Sequence, residues 1–338
     1  MLARERTRRS LRGEPADRPA LAHLFLGGAH AVMDAMGTDL GTAYRDPVLT
    51  AEAQAVAVGM FGHDAGMFPW GCLTVEAEAF GCSVGWSDRY YPQITSHPLA
   101  DSTDLSLLAD PDPASSGRMP LVLDSLERTR EKMGDDVYLI ALVVSPFLVA
   151  AELRGMVQLL ADFVLEPGFV DDLMERVTAG TQRYVRAIAE QGAADAVMFE
   201  NAGACREMMG PVHAERFLFL HERRLLAAAR EASSDVALIE HNCAQTPYVD
   251  EVLALDTDAV SVPQADPGQA TSRGAAWFGN LDNTRLFLES SPREIEAEAR
   301  ACIMDAPGAG FVLSTACEIP LKAPRANIAA LSQALRPG

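Results

Sequence analysis

The densest chemistry in the chain lies in IEHNCAQTP, residues 239–247, where His241 and Cys243 sit two positions apart at the end of an apolar run. In extended backbone, side chains at i and i+2 leave the same face. An imidazole nitrogen and a thiolate sulfur at that spacing reach one ion at the usual zinc distances of about 2.0–2.1 and 2.3 Å. A third soft donor, Cys317, stands just past another apolar run in LSTACEIP, residues 313–320. The stretch between Cys243 and Cys317 is far too long for a zinc-finger knuckle, and it suits two strands separated by two βα units. One imidazole and two thiolates leave a coordination position open, which is the catalytic arrangement for zinc. Thiolates also select zinc over magnesium or calcium. A plainer reading stands beside this one: free cysteine is among the most buried residue types, so both thiols also fit a packed core.

The remaining thiols and imidazoles are weaker candidates. Cys302 falls inside the helical pattern EAEARACIMDA and reads as a packed helix thiol. Cys72 and Cys82 flank a segment near the second strand, and Cys205 follows closely on Glu200. His213 and His221 lie in a helical stretch, whereas His23, His30 and His63 sit near early strand ends. No Ser-His-Asp arrangement, phosphate loop or His-Glu-x-x-His helix is visible.

Residues so far apart need a scaffold that brings strand ends together. Apolar runs of strand length occur at 20–25, 65–68, 137–144, 196–199, 236–239, 259–262, 275–278 and 311–313. Segments such as 212–229 and 292–304 alternate with them and carry apolar residues at helical spacing. Alternating strands and helices predict a parallel sheet. No Gly-x-Gly-x-x-Gly follows an early strand, so the dinucleotide-binding version loses its support. Polar, reactive residues cluster just after the runs: Glu200 and Asn201, His241 to Cys243, Gln264, Asn280 and Asp282, Cys317 and Glu318. In a closed barrel those strand ends form one mouth. The expected fold is therefore a (β/α)8 TIM barrel with an N-terminal helical extension, one domain over residues 1–338. By position, Glu200, Asn201, Gln264 and Asp282 are the candidates for binding substrate. The Pro- and Ser-rich stretch 109–120 is a loop, either a junction to an N-terminal lobe or a long surface connection.

Composition removes several function classes. The 338 residues are 49% hydrophobic and 22% charged, the balance of a soluble globular chain, and one barrel with insertions accounts for the length. Twenty-eight basic residues against 47 acidic give a net charge of −19, which offers no footprint for nucleic acid or an anionic membrane surface. The longest apolar stretch, residues 137–151, is broken by Ser145 and Pro146 and falls short of the roughly 20 residues a spanning helix needs. Glu5, Glu14 and Asp17 interrupt the basic N-terminal residues, which argues for a surface helix leading into the barrel and against a signal peptide. Six cysteines without a Cys-x-x-Cys pair form no disulfide framework, consistent with a reducing cytoplasm.

Longer segments carry a resemblance. RERTRRSLRGEPADRPA (4–20), LTVEAEAFGCSVGW (73–86), DPDPASSGRMPLVLDSL (110–126), GNLDNTRLF (279–287) and STACEIPLKAPRANIAAL (314–331) resemble the uroporphyrinogen decarboxylase superfamily. Within it they resemble the branch of corrinoid-dependent methyltransferases. TVEAEAFG and the final Cys-Glu-Ile-Pro segment are the specific parts, and the opening helix is common to the superfamily. In that branch a His-x-Cys and a distant Cys bind catalytic zinc, and these positions fall on His241, Cys243 and Cys317. The resemblance implies methyl transfer between a corrinoid, free as methylcobalamin or carried by a cognate corrinoid protein, and a small thiol such as coenzyme M. Transfer to a folate and a decarboxylase-like lyase are the alternatives. The lyase branch carries an arginine-rich segment after the first strand, where this chain reads LFLGGAHAVM (24–33) with no arginine. Ala244, Glu200–Asn201 and Asn283 also depart from the family pattern, which leaves the methyl acceptor unnamed.

The ligand set predicts close to one zinc per chain in protein purified without added metal, measured by elemental analysis. A clean preparation that neither contains zinc nor takes it up rules the assignment out.

Overall fold

The structure, a computed structural model, describes residues 1–336 apart from Cys72, Ala204, Gln264 and Pro307. Its centre is a parallel sheet of eight strands. In chain order they are β1 (Ala20–Leu21), β2 (Ala65–Phe68), β3 (Tyr138–Val144), β4 (Ala196–Glu200), β5 (Ala237–His241), β6 (Ala259–Ser261), β7 (Ala276–Leu281) and β8 (Phe311–Thr315). Each pairs with the next from β2 to β8, and β8 pairs with β1. A parallel bridge from Ala22 to Ala65 joins β1 to β2 and closes the ring. This is a (β/α)8 barrel, as the alternating pattern predicts.

The strands are apolar on both faces because side chains fill the inside and helices cover the outside. β3, YLIALVV, is buried at every position. The 25-residue helix Pro167–Gln191 and the helix Leu220–Ala232 pack against each other outside it, joined by a hydrogen bond between Thr178 and His221. β1 is shorter than its apolar run. Phe25 adopts a left-handed backbone with φ 60°, and Gly27 and Gly28 follow with positive φ, so the chain leaves the sheet after Ala22. The stretch 109–118 is the surface connection of the two readings, ahead of a helix over Met119–Met133. Arg176 and Arg183 hold it down through the carbonyls of Leu108 and Pro111.

One expectation is corrected at the N-terminus. The helix Ala3–Leu11 is no free surface helix: Arg6, Thr7, Ser10 and Leu11 are buried on it. Arg6 donates to Asp64 at 2.6 Å, Arg18 donates to the same carboxylate at 2.7 Å, and the Leu21 amide at 2.8 Å. One acid thus ties the helix to the starts of β1 and β2, and the arginines that looked like a solvated patch serve that carboxylate. Among the described residues no helix is long and apolar enough to cross a membrane.

Asp64→Ala strips the partner from two arginines and a backbone amide. The expected loss is about 3 kcal/mol of unfolding free energy, the lower end for breaking a buried pair because Arg18 is partly exposed. Urea denaturation monitored by circular dichroism checks this; a loss below about 1 kcal/mol, the level of exposed pairs, refutes the role of the network.

Candidate metal centre

His241 is the last residue of β5, and its register places it beside Glu200 of β4 and Ser261 of β6. The ring is fully buried. Nδ1 and Ser261 Oγ are hydrogen-bonded at 2.9 Å, and Nε2 has no hydrogen-bond partner. With Nδ1–H donating to the serine, Nε2 presents a lone pair, the tautomer that a metal-ligating histidine needs. The Asn242 amide donates to the Ser261 carbonyl at 3.0 Å, and Asn242 Oδ1 accepts from Ala244 N, so the chain turns immediately and sets Cys243 beside the ring. Across the barrel, Ala316 N donates to the Leu281 carbonyl at 2.7 Å and Thr315 Oγ1 to the Cys317 carbonyl at 2.6 Å. These bonds hold the segment after β8 so that Cys317 joins the other two. One donor atom from each of His241, Cys243 and Cys317 lies within 4.8 Å of the others.

A buried imidazole nitrogen without a partner and two convergent thiols fit a soft divalent ion. The electrostatics of the protein alone agree. Burial by itself disfavours a charged ring at His241, yet Glu200 and then Cys317 outweigh it and push the pKa up to about 9. Glu200 Oε2 lies 3.5 Å from Nε2, and burial raises that carboxyl above its ordinary range. Cys243 and then burial hold the Cys317 thiol well above the ordinary range, against the pull of His241. Positive charge is thus favoured where the three donors converge.

The other sequence-predicted residues divide. Glu200 contacts the triad. Asn201, one residue on, is fully buried and donates to Glu240 Oε1 at 3.0 Å. Asp282 is exposed and accepts from the amides of Thr284 and Arg285, so its carboxylate caps a turn. Gln264 lies outside the described residues, as does Cys72. Cys302 sits in the helix Pro292–Asp305 with its thiol toward the Gly279 carbonyl, and Cys205 is buried apart from the triad. His23 and His63 are buried side by side, with ring centroids 4.5 Å apart and planes tilted by 35°, and His30 bonds to the Arg89 carbonyl.

Three residues escaped the sequence reading. Ser261 reads as one more small residue in an apolar strand, and nothing in its spacing announces the bond to His241. Glu76, buried on the helix Val75–Phe80, accepts from the Val144 amide beyond the reach of β2, and burial pushes its pKa up to about 7. Tyr91 lies between two antiparallel strands, Ser83–Gly85 and Gln93–Ser96, and donates to Glu318 next to Cys317.

Family comparison decides the lineage. The family model for uroporphyrinogen decarboxylase (URO-D) matches residues 2–337. The chain belongs to the URO-D family. Within that family it is 27% identical over 332 residues to the methylcobamide:CoM methyltransferase MtbA of Methanosarcina mazei, covering 96% of this chain and 95% of that protein. It is 25% identical to the methylcobamide:CoM methyltransferase MtaA of Methanosarcina barkeri, covering 95% and 94%. The uroporphyrinogen decarboxylase of Parasynechococcus marenigrum is 22% identical, covering 95% and 93%. A solved methyltransferase structure from Methanosarcina mazei superposes with a TM-score of 0.87 at 24% identity, covering 99% of this chain and 98% of that one, and so shares the fold.

Ser261 generates a test separate from turnover. Ser261→Ala removes the partner of His241 Nδ1, and outer-shell losses of this kind lower metal affinity by about 10–100-fold. Competition with a chromogenic zinc chelator reads the change; an affinity equal to that of the unmodified protein means the hydroxyl does not orient the ring.

Proposed function

We propose that this protein is a zinc-dependent methyltransferase that moves a methyl group between a corrinoid, methylcobalamin or a corrinoid protein, and a thiol such as coenzyme M. The observation that carries the proposal is the meeting of His241, Cys243 and Cys317 in a chain similar over nearly its whole length to methylcobamide:CoM methyltransferases. His241 Nε2 and the two thiolates would hold the ion, with a charge of −2 against its +2. When bound, zinc supplies the Lewis acidity that takes an incoming thiol from a pKa near 8.5 to its nucleophilic thiolate.

The protein's own groups divide the remaining work. Ser261 fixes the ring plane of His241. The buried wall of β4 and β5 excludes bulk water from that side of the donors. Glu200 Oε2, 3.5 Å from Nε2, would receive the proton that the thiol loses. Asn201 and Asp282 make their contacts elsewhere and are given no direct role. The segment 24–33 brings no arginine to the mouth, which disfavours the decarboxylase alternative because a polycarboxylated substrate needs cations. In this reading residues 1–338 form one catalytic unit that acts in the cytoplasm.

The test is thiol-dependent demethylation of methylcobalamin, followed by the absorbance change of the corrinoid. Cys243→Ala and Cys317→Ala should each lose zinc and abolish the reaction, whereas Cys302→Ala should keep activity within a few-fold. Addition of the true thiol to the zinc-loaded enzyme should add one sulfur neighbour near about 2.3 Å in zinc-edge X-ray absorption. An essential Cys302 with a dispensable Cys317, or a four-ligand zinc that no thiol perturbs, refutes the proposal.

A further inference from the structure

Outside the barrel, a cavity of about 480 Å³ opens beside β7. Its origin lies in the lengths of the elements. β7 has six residues and spans about 20 Å, but the helix that follows β6, Pro267–Ser272, also has six residues and spans only about 9 Å. That helix cannot cover the strand beside it, and the helix Pro292–Asp305 borders the gap from the other side. The volume suits one small molecule, for which sites run to about 300–1,000 Å³. Trp277, Leu281, Leu286 and Phe311 give the cavity an apolar floor.

Two features of this cavity are unfilled. Trp277 is 1% exposed, yet its indole N–H makes no hydrogen bond among the described residues. Trp277, Gly279 and Leu281 share the outer face of β7. A Cβ at Gly279 would fall 2.1 Å from Trp277 Nε1, so the glycine lets the ring lie along the strand with its N–H over the floor. A buried indole donor ordinarily has an acceptor. The rim carries charge: Asp282, Glu294, Glu298 and Asp305 against Arg285. Asp282 caps a turn and lies 3.8 Å from Arg285, and Glu294 closes the capping box at Ser291. Glu298 and Asp305 have neither an ion pair nor a hydrogen bond among the described residues. They stand seven residues apart on one helix, about 10.5 Å along its axis, and border the same cavity.

We propose that this cavity binds a small aliphatic diamine that also carries one neutral oxygen acceptor. Its two ammonium groups pair with Glu298 and Asp305, its methylenes cover the apolar floor, and its carbonyl or hydroxyl oxygen accepts from Trp277 Nε1. Each requirement answers one unfilled group. The two free acids on one helix face set the charge and its spacing, the indole calls for the acceptor, and the volume limits the size. A bare diamine would leave the indole unsatisfied, and an anion would meet the acids. The site is separate from the convergence of His241, Cys243 and Cys317 and does not depend on methyl transfer.

The test is calorimetric titration of the full, zinc-loaded chain with L-lysinamide, and with cadaverine as the diamine that lacks the acceptor. At about pH 6 both amines carry two positive charges, and a protonated amine does not ligate zinc. Lysinamide should bind at one per chain and about tenfold more tightly than cadaverine, the scale of one hydrogen bond to a buried donor. Trp277→Phe keeps an aromatic ring, removes the donor and should bring lysinamide down to the affinity of cadaverine. Glu298→Gln and Asp305→Asn should each weaken both amines by about fivefold, the upper end for an exposed pair. Both of these positions are exposed, so the two variants keep the test decisive if the Trp277→Phe chain does not fold. Absence of saturable binding or equal affinity for the two amines overturns the site. So does uptake beyond one per chain that ignores the substitutions, which is attraction to a chain of net charge −19.

Discussion

The parallel register between β4, β5 and β6 is the constraint on which the rest of this protein depends. It sets Glu200, His241 and Ser261 side by side at one level of the barrel. Because side chains in a strand alternate, a slip of one residue would turn His241 outward and bring Glu240 into the barrel. The ladder hydrogen bonds that prevent this slip continue past the strands, from Asn201 N to the His241 carbonyl and from Asn242 N to the Ser261 carbonyl. Position and chemistry are therefore set together. The backbone holds the ring where its one hydrogen bond goes to a serine and its other nitrogen is left facing two thiols.

Closure carries that order around to β8. The triad needs a donor from a strand three places away in the ring, and only a closed barrel returns that strand end to the same mouth. The joint is small, a two-residue β1 and a single bridge from Ala22 to Ala65, but the buried Asp64 beneath it gathers Arg6, Arg18 and the Leu21 amide. The N-terminal helix is part of this joint. Charge at the base of the barrel thus keeps the mouth in shape, although the two lie at opposite ends of the strands.

The two faces of β5 carry unlike chemistry. Inward, His241 meets soft sulfur donors. Outward, Glu240 Oε1 accepts from the side-chain amide nitrogen of Asn201. Adjacent residues of one strand thus serve environments that differ in donor softness, charge and access, and the wall between them is one backbone thick. Such a wall transmits displacement readily, since packed interiors have little room to absorb it.

Much of this was legible in the chain itself. The alternation of apolar runs and helical patterns dictates a parallel sheet, since each strand must bury both faces. His241, Cys243 and Cys317 stand out because soft donors at strand ends have few other uses. Local chemistry decides such features, and local chemistry is written in residue type and spacing. The folded chain decided the rest. Asn201 and Asp282 look equivalent to Glu200 from their places after strands, yet one turns behind the wall and the other caps a turn, because orientation depends on the neighbours that satisfy each polar atom. Ser261 and Glu76 acquire their roles from partners twenty and sixty-eight residues away, and no periodicity records such a partnership. Nothing in residue type marks Glu222 and Glu240 as buried; the helix register and the strand alternation bury both. The sequence determines which atoms can do chemistry, and the closure of the barrel decides which of them meet, because a contact between distant strands exists only once the chain has surrounded it.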